Sequence, residues 1–286
     1  MDGEALRARL GTRWLGQTFE WYAACASTND LAAERARAGA PAGLVIAADA
    51  QTAGRGRLGR SWHSPAGDNL YFSILLRPTR PPSEIPPLTL LAGAAVARAL
   101  GTFGVAPRLK WPNDVELVED NTGRVDGAGL GPAESVAGGF GDPLGVPVLR
   151  KVAGILTEMA SAGASALHVV VGIGLNANGV DFPPEIAERA TSLRRALGRP
   201  VDRVALLAAV LGALEPLYDE FERRGPAAAV EAFEAHAAFP ARCRVTAPGR
   251  PGERLTGLAL GVDPDGALRL QDDTGQIHRV ISGELS

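Results

Sequence analysis

The sequence predicts an α+β fold in which a β-sheet is covered by helices and is followed by a small all-β module. Hydrophobic residues make up 46% and charged residues 21% of the 286 residues, as in an ordinary globular protein with a sizeable core. Strand-like apolar runs alternate with helical patterns over most of the chain, whereas short alternating strands and turn residues follow residue 242. We therefore expect two domains, residues 1–238 and residues 239–286.

The elements of the first domain follow from apolar periodicity and from residues that begin or end helices. Ser27 and Thr28 favour a helix N-cap and Gly39 a helix end, which predicts a helix over residues 31–38. Residues 203–222 repeat apolar side chains at the spacing of a core-facing helix. The other elements expected are strands at residues 44–48, 69–76, 152–159 and 167–173, one strand running from 108 through 118, and helices at 88–100 and 230–238.

Two segments depart from this succession of apolar strands and helices. Residues 119–150 are rich in Gly and Pro and lack hydrophobic periodicity, so we interpret them as a mobile hairpin insertion. Strands at 242–245, 255–259 and 267–271 are separated by turn sequences such as Pro264-Asp265-Gly266. This module is close to the minimum size of an autonomous domain, so we expect it to lean on the first domain.

Charge and cysteine content exclude several classes of protein. The formal net charge of -3 argues against bulk electrostatic attachment to nucleic acid or to an anionic membrane. Cys25 and Cys243 form no paired motif, which excludes a disulfide-built secreted scaffold and favours a reducing cytoplasm. No secretion signal is visible, and the most apolar stretch, residues 88–105, fits a buried helix better than a membrane span.

A Gly- and Arg-rich segment, residues 51–62, is the first candidate for chemistry. Its glycines let the backbone approach a ligand, while Arg55, Arg57 and Arg60 supply bidentate donors suited to phosphate. The pattern indicates an anion-binding loop, although a solvated surface loop and an RNA contact of the RGG type stay open at this point. The residues of a Walker loop and of a dinucleotide fingerprint are both missing.

Two further segments carry candidate residues. Of the 29 basic residues only Lys110 and Lys151 are lysines, which suggests that a point charge is required at these places. Lys110 can neutralise a carboxylate and a phosphate brought together, and Asp114 can help to hold the Mg²⁺ of ATP; a surface lysine beside a turn is the alternative. Residues 169–178 form an apolar strand running into a Gly-containing turn, where the Asn176 amide can read a base edge, although a plain strand-to-turn junction fits equally.

Taken in order, these segments resemble the biotin protein ligases along nearly the whole chain. Ser27-Thr28-Asn29, residues 51–60, 110–114, 151–158 and 172–176 carry the resemblance. It implies a mixed β-sheet with helices packed on it, as in class II aminoacyl-tRNA synthetases, and a small C-terminal SH3-like β-barrel. It also implies that biotin and ATP with Mg²⁺ form biotinyl-5'-AMP, from which biotin passes to a lysine of the biotin carboxyl carrier domain of acetyl-CoA carboxylase and related carboxylases.

The resemblance also assigns individual residues. Lys110 and Arg57 would be catalytic, and no tightly bound cofactor is implied. The residues that would contact biotin are Ser27, Thr28, Asn29, Gln51, Arg55, Gly56, Arg57, Lys110, Gly154 and Leu156. Those that would contact the nucleotide are Arg57, Arg60, Trp62, Asn113 and Asn176, with Asp114 on Mg²⁺.

The residue chemistry agrees with adenylate formation. Attack of a carboxylate on ATP brings two anions together, so it needs positioning and charge compensation rather than an enzyme nucleophile. The reactive anhydride must be kept from water, so we expect part of residues 54–60 to be mobile when the site is empty and ordered when it is occupied.

Two other functions are compatible with parts of the pattern. Lipoate and octanoate ligases use similar chemistry, but their Arg-Arg-x-x-Gly-Gly-Gly type loop is missing here. A non-catalytic biotin sensor would bind biotin without releasing pyrophosphate. About 26 residues precede Ser27, too few for the helix-turn-helix of repressor members, so we expect no DNA or membrane partner, and a monomer or weak homodimer.

Overall fold

The main structural unit is a seven-stranded mixed sheet. The computed structural model describes residues 3–119, 148–163, 165–237, 239, 243–246 and 254–285. The strands of this sheet are β1 (Phe19–Cys25), β2 (Val45–Gln51), β3 (Leu70–Leu76), β4 (Arg108–Lys110), β5 (Asp114–Glu119), β6 (Val148–Ala162) and β7 (Ser165–Leu175). Their order is β1-β2-β3-β7-β6-β5-β4, with β1 and β2 parallel and every other pair antiparallel. The predicted mixed sheet is therefore confirmed.

Helices cover both faces of this sheet. They are α1 (Gly3–Arg7), α2 (Thr28–Arg37), α3 (Leu88–Thr102), α4 (Pro184–Ala187), α5 (Leu193–Leu197), α6 (Arg203–Arg224) and α7 (Pro226–Glu234), with single 3-10 turns at Arg57–Gly59 and Pro82–Glu84. The long helices α3 and α6 pack on each other over the main core, whereas α2 packs on β2, β3 and β7 over a second cluster. The segment Pro82–Thr102 is long and apolar enough to span a membrane. Within it, 72% of the most apolar 18-residue stretch is buried inside the protein.

The two faces of the sheet are set by the alternation of side chains along each strand. On β2, Val45 and Ala47 join the main core, while Ile46 joins the smaller cluster under α2. On β3, Phe72 faces the main core and its neighbour Ser73 lies on the α2 side. The α2 face is the one that carries the polar residues described below.

The C-terminal module is a small antiparallel sheet. Its strands are β8 (Cys243–Thr246), β9 (Arg254–Val262), β10 (Leu268–Gln271), β11 (Ile277–Val280) and β12 (Glu284–Leu285), in the order β11-β10-β9-β8-β12. Within the described residues no hydrogen-bonded pair joins β11 to β12, so a closed barrel is not found. The module leans on the first domain as expected: Trp111 Nε1 donates to the Gly266 carbonyl at 2.9 Å, and the Val262 N–H donates to Glu234 at 3.1 Å.

The structure corrects two expectations. The single strand predicted from 108 through 118 is wrong, because β4 and β5 form an antiparallel hairpin with a turn at residues 111–113, where Pro112 has no N–H to continue a strand ladder. The Gly-containing turn predicted after the strand at 167–173 is also wrong at Gly174, because β7 continues to Leu175. The inserted residues 120–147 lie outside the described part of the chain, and the strands that flank them, β5 and β6, pair antiparallel.

Sequence patterns missed several short elements and the first strand. β1 has no clean alternation of apolar and polar residues, and its side chains are half-buried or exposed at the edge of the sheet. The predicted helices at 31–38, 88–100 and 203–222 are all present and extend further by a few residues. Strand β2 also runs on to Gln51, so this residue ends a strand instead of beginning a loop.

Candidate active site

A cavity opens on the α2 face of the sheet and collects all but one of the residues predicted for the site. It lies between the start of α2, the Gly/Arg loop, the β4–β5 turn and the middle of β6 and β7. The predicted residues that line it are Ser27, Thr28, Asn29, Gln51, Arg55, Gly56, Arg57, Arg60, Trp62, Lys110, Asn113, Asp114, Gly154 and Leu156. Segments separated by more than a hundred residues in the sequence thus meet at one place.

Glycines on two neighbouring strands form the floor of this cavity. Gly154 on β6 and Gly174 on β7 are cross-strand partners. The Trp62 indole lies directly on them: a Cβ on Gly174 would be 2.4 Å from indole atoms Cε2 and Nε1, and a Cβ on Gly154 would be 2.9 Å from Cζ3. Any larger side chain at Gly174 would therefore displace the indole.

A third glycine makes room for a polar residue. Gly172 lies on β7 opposite Ser73 of β3, and a Cβ on Gly172 would be 2.1 Å from Oδ1 of Asn29. The intervening Ile173 belongs to the main core on the other face. Glycine at alternate positions therefore opens a slot on one face while isoleucine fills the core on the other.

A connected set of polar groups forms one wall of the cavity. The backbone N–H of Thr28 donates to Gln51 Oε1 at 2.9 Å, and Gln51 Nε2 donates to Ser64 at 3.1 Å. The hydroxyl of Ser73, which is fully buried, lies 2.8 Å from Oγ1 of Thr28 and 2.6 Å from Oδ1 of Asn29. These bonds fix both the donors and the acceptors that this wall offers to a ligand.

The Gly/Arg loop is held by its own backbone. The Gly56 N–H donates to the Arg60 carbonyl at 2.6 Å, and the Trp62 N–H donates to the Gly54 carbonyl at 2.8 Å. Leu58 at the tip has φ 56° and is 61% exposed. The loop thus forms a narrow projection beside the cavity.

Arg57 links this loop to two other parts of the chain. One guanidinium nitrogen donates to Asn113 Oδ1 and the other to Ser282 Oγ, each at 3.3 Å. Asn113 in turn donates to the Ile155 carbonyl at 3.1 Å. Because Gly283 also lines the cavity, the C-terminal module supplies part of its rim.

Both lysines of the protein line this one cavity. The Lys110 ammonium is 3.6 Å from Glu116, and the Lys151 ammonium is 2.6 Å from Asp114 and 5.2 Å from the centre of the Trp62 ring. Burial raises the pKa of the Glu116 carboxyl, which the nearby Lys110 ammonium opposes. The two ammonium groups and Arg57 give the cavity the positive charge needed to bring two anions together.

Two residues predicted to contact the nucleotide and its metal ion have protein partners instead: Asn176 bonds Thr191, and Asp114 pairs with Lys151. Asn176 does not line the cavity: its side chain is buried, and Nδ2 donates to the Thr191 carbonyl at 3.0 Å. Its role toward adenine therefore stays a prediction. Among the described residues no group of three or more His, Cys, Asp or Glu side chains is suited to a metal, and the nearest partner of Asp114 is Lys151.

Sequence reasoning missed three residues of the site. Lys151 has no assigned role in the sequence analysis, and the rarity of lysine in this chain is the feature that marks it. Ser73 is the one serine in strand β3, whose other residues are aliphatic or aromatic. Glu158 accepts hydrogen bonds from Asn29 at 2.7 Å and from Arg55 at 2.9 and 2.8 Å. For Glu158 no signal in the sequence indicates these partners.

The comparison with protein families decides the relationship of the chain. A model described as the biotin/lipoate A/B protein ligase family matches residues 22–176, which is more than half of the chain. The chain belongs to this family. A second model, described as the biotin protein ligase C terminal domain, matches residues 243–286.

Individual relatives agree with the family match. The chain is 32% identical to the bifunctional ligase/repressor BirA of Bacillus subtilis over 98% of this chain and 77% of that protein. It is 30% identical to the biotin--[acetyl-CoA-carboxylase] ligase of Mycobacterium tuberculosis over 100% of this chain and 95% of the relative. The structure of the biotin protein ligase from Aquifex aeolicus in complex with biotin and ATP matches with a TM-score of 0.70 at 27% identity, covering 94% of this chain and 98% of that one.

Proposed function

We propose that this chain is a biotin protein ligase that converts biotin and ATP to biotinyl-5'-AMP and pyrophosphate and then transfers biotin to a protein lysine. The observation that carries the proposal is the single cavity in which Arg57 and both lysines meet a wall of ordered amides and hydroxyls. Family membership and the C-terminal match to biotin protein ligases support biotin as the acid. ATP with Mg²⁺ is a substrate, and no tightly bound cofactor is needed.

The first step joins two anions. A carboxylate oxygen of biotin attacks the α-phosphorus of ATP, and the bond to the β-phosphate oxygen breaks so that pyrophosphate leaves with its electrons. The protein contributes position and charge rather than a nucleophile. We assign charge compensation to Arg57, Lys110 and Lys151, whose cationic groups lie around the same space.

The second step consumes the mixed anhydride. The neutral amine of the acceptor lysine attacks the biotinyl carbonyl, loses a proton and expels AMP. Until the acceptor arrives, water must be kept from the anhydride. We assign this protection to the loop at residues 52–62, which projects beside the cavity, and to the neighbouring Gly283 of the C-terminal module.

Substrate contacts follow from the walls of the cavity. We assign biotin to the polar wall, with Ser27, Thr28, Asn29 and Gln51 as partners and with Arg55, Gly56, Gly154 and Leu156 beside it. We assign the nucleotide to Arg57, Arg60, Trp62 and Asn113, with Asp114 toward Mg²⁺. Asn176 lies outside the cavity wall, and its assignment to adenine rests on the family resemblance alone.

Further features complete the proposal. The acceptor is the biotin carboxyl carrier domain of acetyl-CoA carboxylase or of a related carboxylase. We place the boundary between the two domains at residues 238–239. We assign the C-terminal module to the SH3-like class, which its match to the biotin protein ligase C terminal domain supports, although the described strands do not close into a barrel. The protein works in the cytoplasm as a monomer or weak homodimer, without DNA.

Mass spectrometry of the small-molecule products tests the proposal. The purified protein is incubated with MgATP and, separately, with biotin, lipoate or octanoate. We expect biotinyl-AMP with biotin and no adenylate with the other two acids. Lipoyl-AMP or octanoyl-AMP would place the protein among the sister ligases, and biotin binding without any adenylate would indicate a sensor.

A further inference from the structure

Glu158 connects two parts of the site that are far apart in the sequence. It follows Gly154 and Leu156 at alternate positions of β6, so its side chain lies on the α2 face. One carboxylate oxygen accepts from Asn29 Nδ2 at 2.7 Å and from Arg55 at 2.8 Å, and the other accepts from Arg55 at 2.9 Å. We propose that Glu158 is a positioning residue that holds the Asn29 amide of the biotin pocket and the Gly/Arg loop at the same time.

The Asn29 amide has one favourable orientation because of these neighbours. Its oxygen accepts from the fully buried Ser73 hydroxyl, and its nitrogen donates to Glu158 and, at 3.3 Å, to the Leu156 carbonyl. A flipped amide would point its oxygen at a carboxylate and a carbonyl, which repel it. The amide occupies the space that a Cβ at position 172 would fill, so this arrangement requires glycine there.

Arg55 is occupied by carboxylates rather than presented to an anion. Its guanidinium lies between Glu158 and Asp30, with 2.7 Å to Asp30, and these two carboxylates exceed its single positive charge. A phosphate approaching this group would meet net negative charge. The Arg55 side chain therefore ties the loop to α2 and β6.

The inference rests on the proposed biotin ligation, and three substitutions separate its two halves. Glu158→Gln weakens both contacts, and Asp30→Asn weakens only the tie to Arg55. Ser73→Ala removes the second anchor of Asn29 together with the bond to Thr28, and it leaves Arg55 untouched. Two quantities are measured: the KM for biotin in pyrophosphate release at saturating ATP, and hydrogen exchange of the Gly56 and Trp62 amides without ligand. Thermal unfolding verifies that each variant folds.

Glu20→Gln is the matched control. Glu20 also accepts two bonds from one arginine, Arg35, at 3.0 and 3.2 Å and one from a neutral donor, Tyr22, at 2.7 Å. Its side chain is 30% exposed, compared with 39% for Glu158. Arg35 and Tyr22 do not line the cavity, whereas the partners of Glu158, Asn29 and Arg55, do. Loss of a comparable ion pair away from the site is thereby separated from the loss of positioning.

Loss of one hydrogen bond to a charged group weakens binding about tenfold. We therefore expect Glu158→Gln to raise the KM for biotin about tenfold and to accelerate exchange of both loop amides. Ser73→Ala should raise the KM without changing exchange, and Asp30→Asn should accelerate exchange with a smaller change in KM. Glu20→Gln should change neither quantity.

Two results would overturn the inference. One is a Glu158→Gln variant whose KM for biotin and whose exchange rates of the loop amides lie within about twofold of the wild-type values, because loss of a hydrogen bond to a charged group should change them more. The other is a Glu20→Gln variant with the same effects as Glu158→Gln. If the wild type releases no biotin-dependent pyrophosphate, the proposed function fails, and the exchange of the loop amides alone decides whether Glu158 holds the loop.

Discussion

The two faces of the main sheet are built from the same strands but do opposite work. Along β7, Val171, Ile173 and Leu175 fill the core under α3 and α6, while the alternating Gly172 and Gly174 open space under Asn29 and Trp62. Along β3, Phe72 faces the core and Ser73 joins the polar wall. Successive side chains of a strand point to opposite faces of the sheet. Residues on one face therefore pack the core and stabilise the fold, whereas those on the other face shape the cavity.

This division predicts how substitutions on the two faces differ. A change on the core face should lower the free energy of unfolding and leave the substrate constants of the folded protein unchanged. A change on the cavity face should do the reverse, because glycines and hydroxyls there add little to packing. Substitutions at Phe72, at the two lysines and at Gly174 test this contrast, beginning with the largest expected effect.

Phe72→Ala on the core face should lower the free energy of unfolding by about 3–5 kcal/mol, since a fully buried ring is removed and a cavity is left. Urea unfolding followed by circular dichroism measures this. Ile74→Val on the same face provides a milder variant, with a loss of about 1 kcal/mol, if the first variant does not fold. A large change in the KM for biotin with unchanged stability would contradict the division between faces.

The lysines provide the next test, on the cavity face. Lys110→Ala and Lys151→Ala should each lower kcat for pyrophosphate release about 100- to 1000-fold, the cost of removing one group that stabilises developing charge. Lys110→Ala should also lower stability, because it leaves the buried Glu116 carboxylate without the Lys110 ammonium, so thermal unfolding verifies that each variant folds. Single-turnover adenylation is measured, with Lys→Arg variants at both positions as controls for charge without the compact ammonium. Unchanged adenylation in Lys110→Ala would remove that residue from the proposed mechanism.

The fold was largely predictable because it depends on local periodicity. Helix α6 and strands β2 and β3 repeat apolar residues at clear spacings, and each is found where expected. The predicted strand through Pro112 was wrong because apolar residues on both sides of a short turn look continuous in sequence. The edge strand β1 was missed because its residues do not alternate between apolar and polar types, since neither of its faces is fully buried.

The site was predictable where a motif carried it and not where the contact depends on packing. The Gly/Arg loop and residues 110–114 do meet in one cavity. Ser73 acquires its role only because Gly172 is its partner on the next strand and Asn29 enters the gap. Asn176, which a strand-to-turn pattern indicated, instead bonds the Thr191 carbonyl away from the cavity wall. Such relations between strands are set by the register of the sheet.

Gly174→Ala provides the smallest expected effect on the cavity face and the clearest contrast with Phe72→Ala. A Cβ at Gly174 would lie 2.4 Å from the Trp62 indole, so the ring must leave the glycine floor. We expect the KM for biotin or for ATP to rise about tenfold, equivalent to about 1.4 kcal/mol, while the urea midpoint changes little. Steady-state pyrophosphate release measures the KM values.

A double-mutant cycle identifies the group that the added methyl displaces. In a Trp62→Ala background the indole is absent, so Gly174→Ala should lose most of its effect on KM. The difference between the two backgrounds is the coupling between the methyl group and the ring. An equal penalty in both backgrounds would mean that the methyl blocks the ligand itself, and the glycine floor would then be a direct contact surface rather than a seat for Trp62.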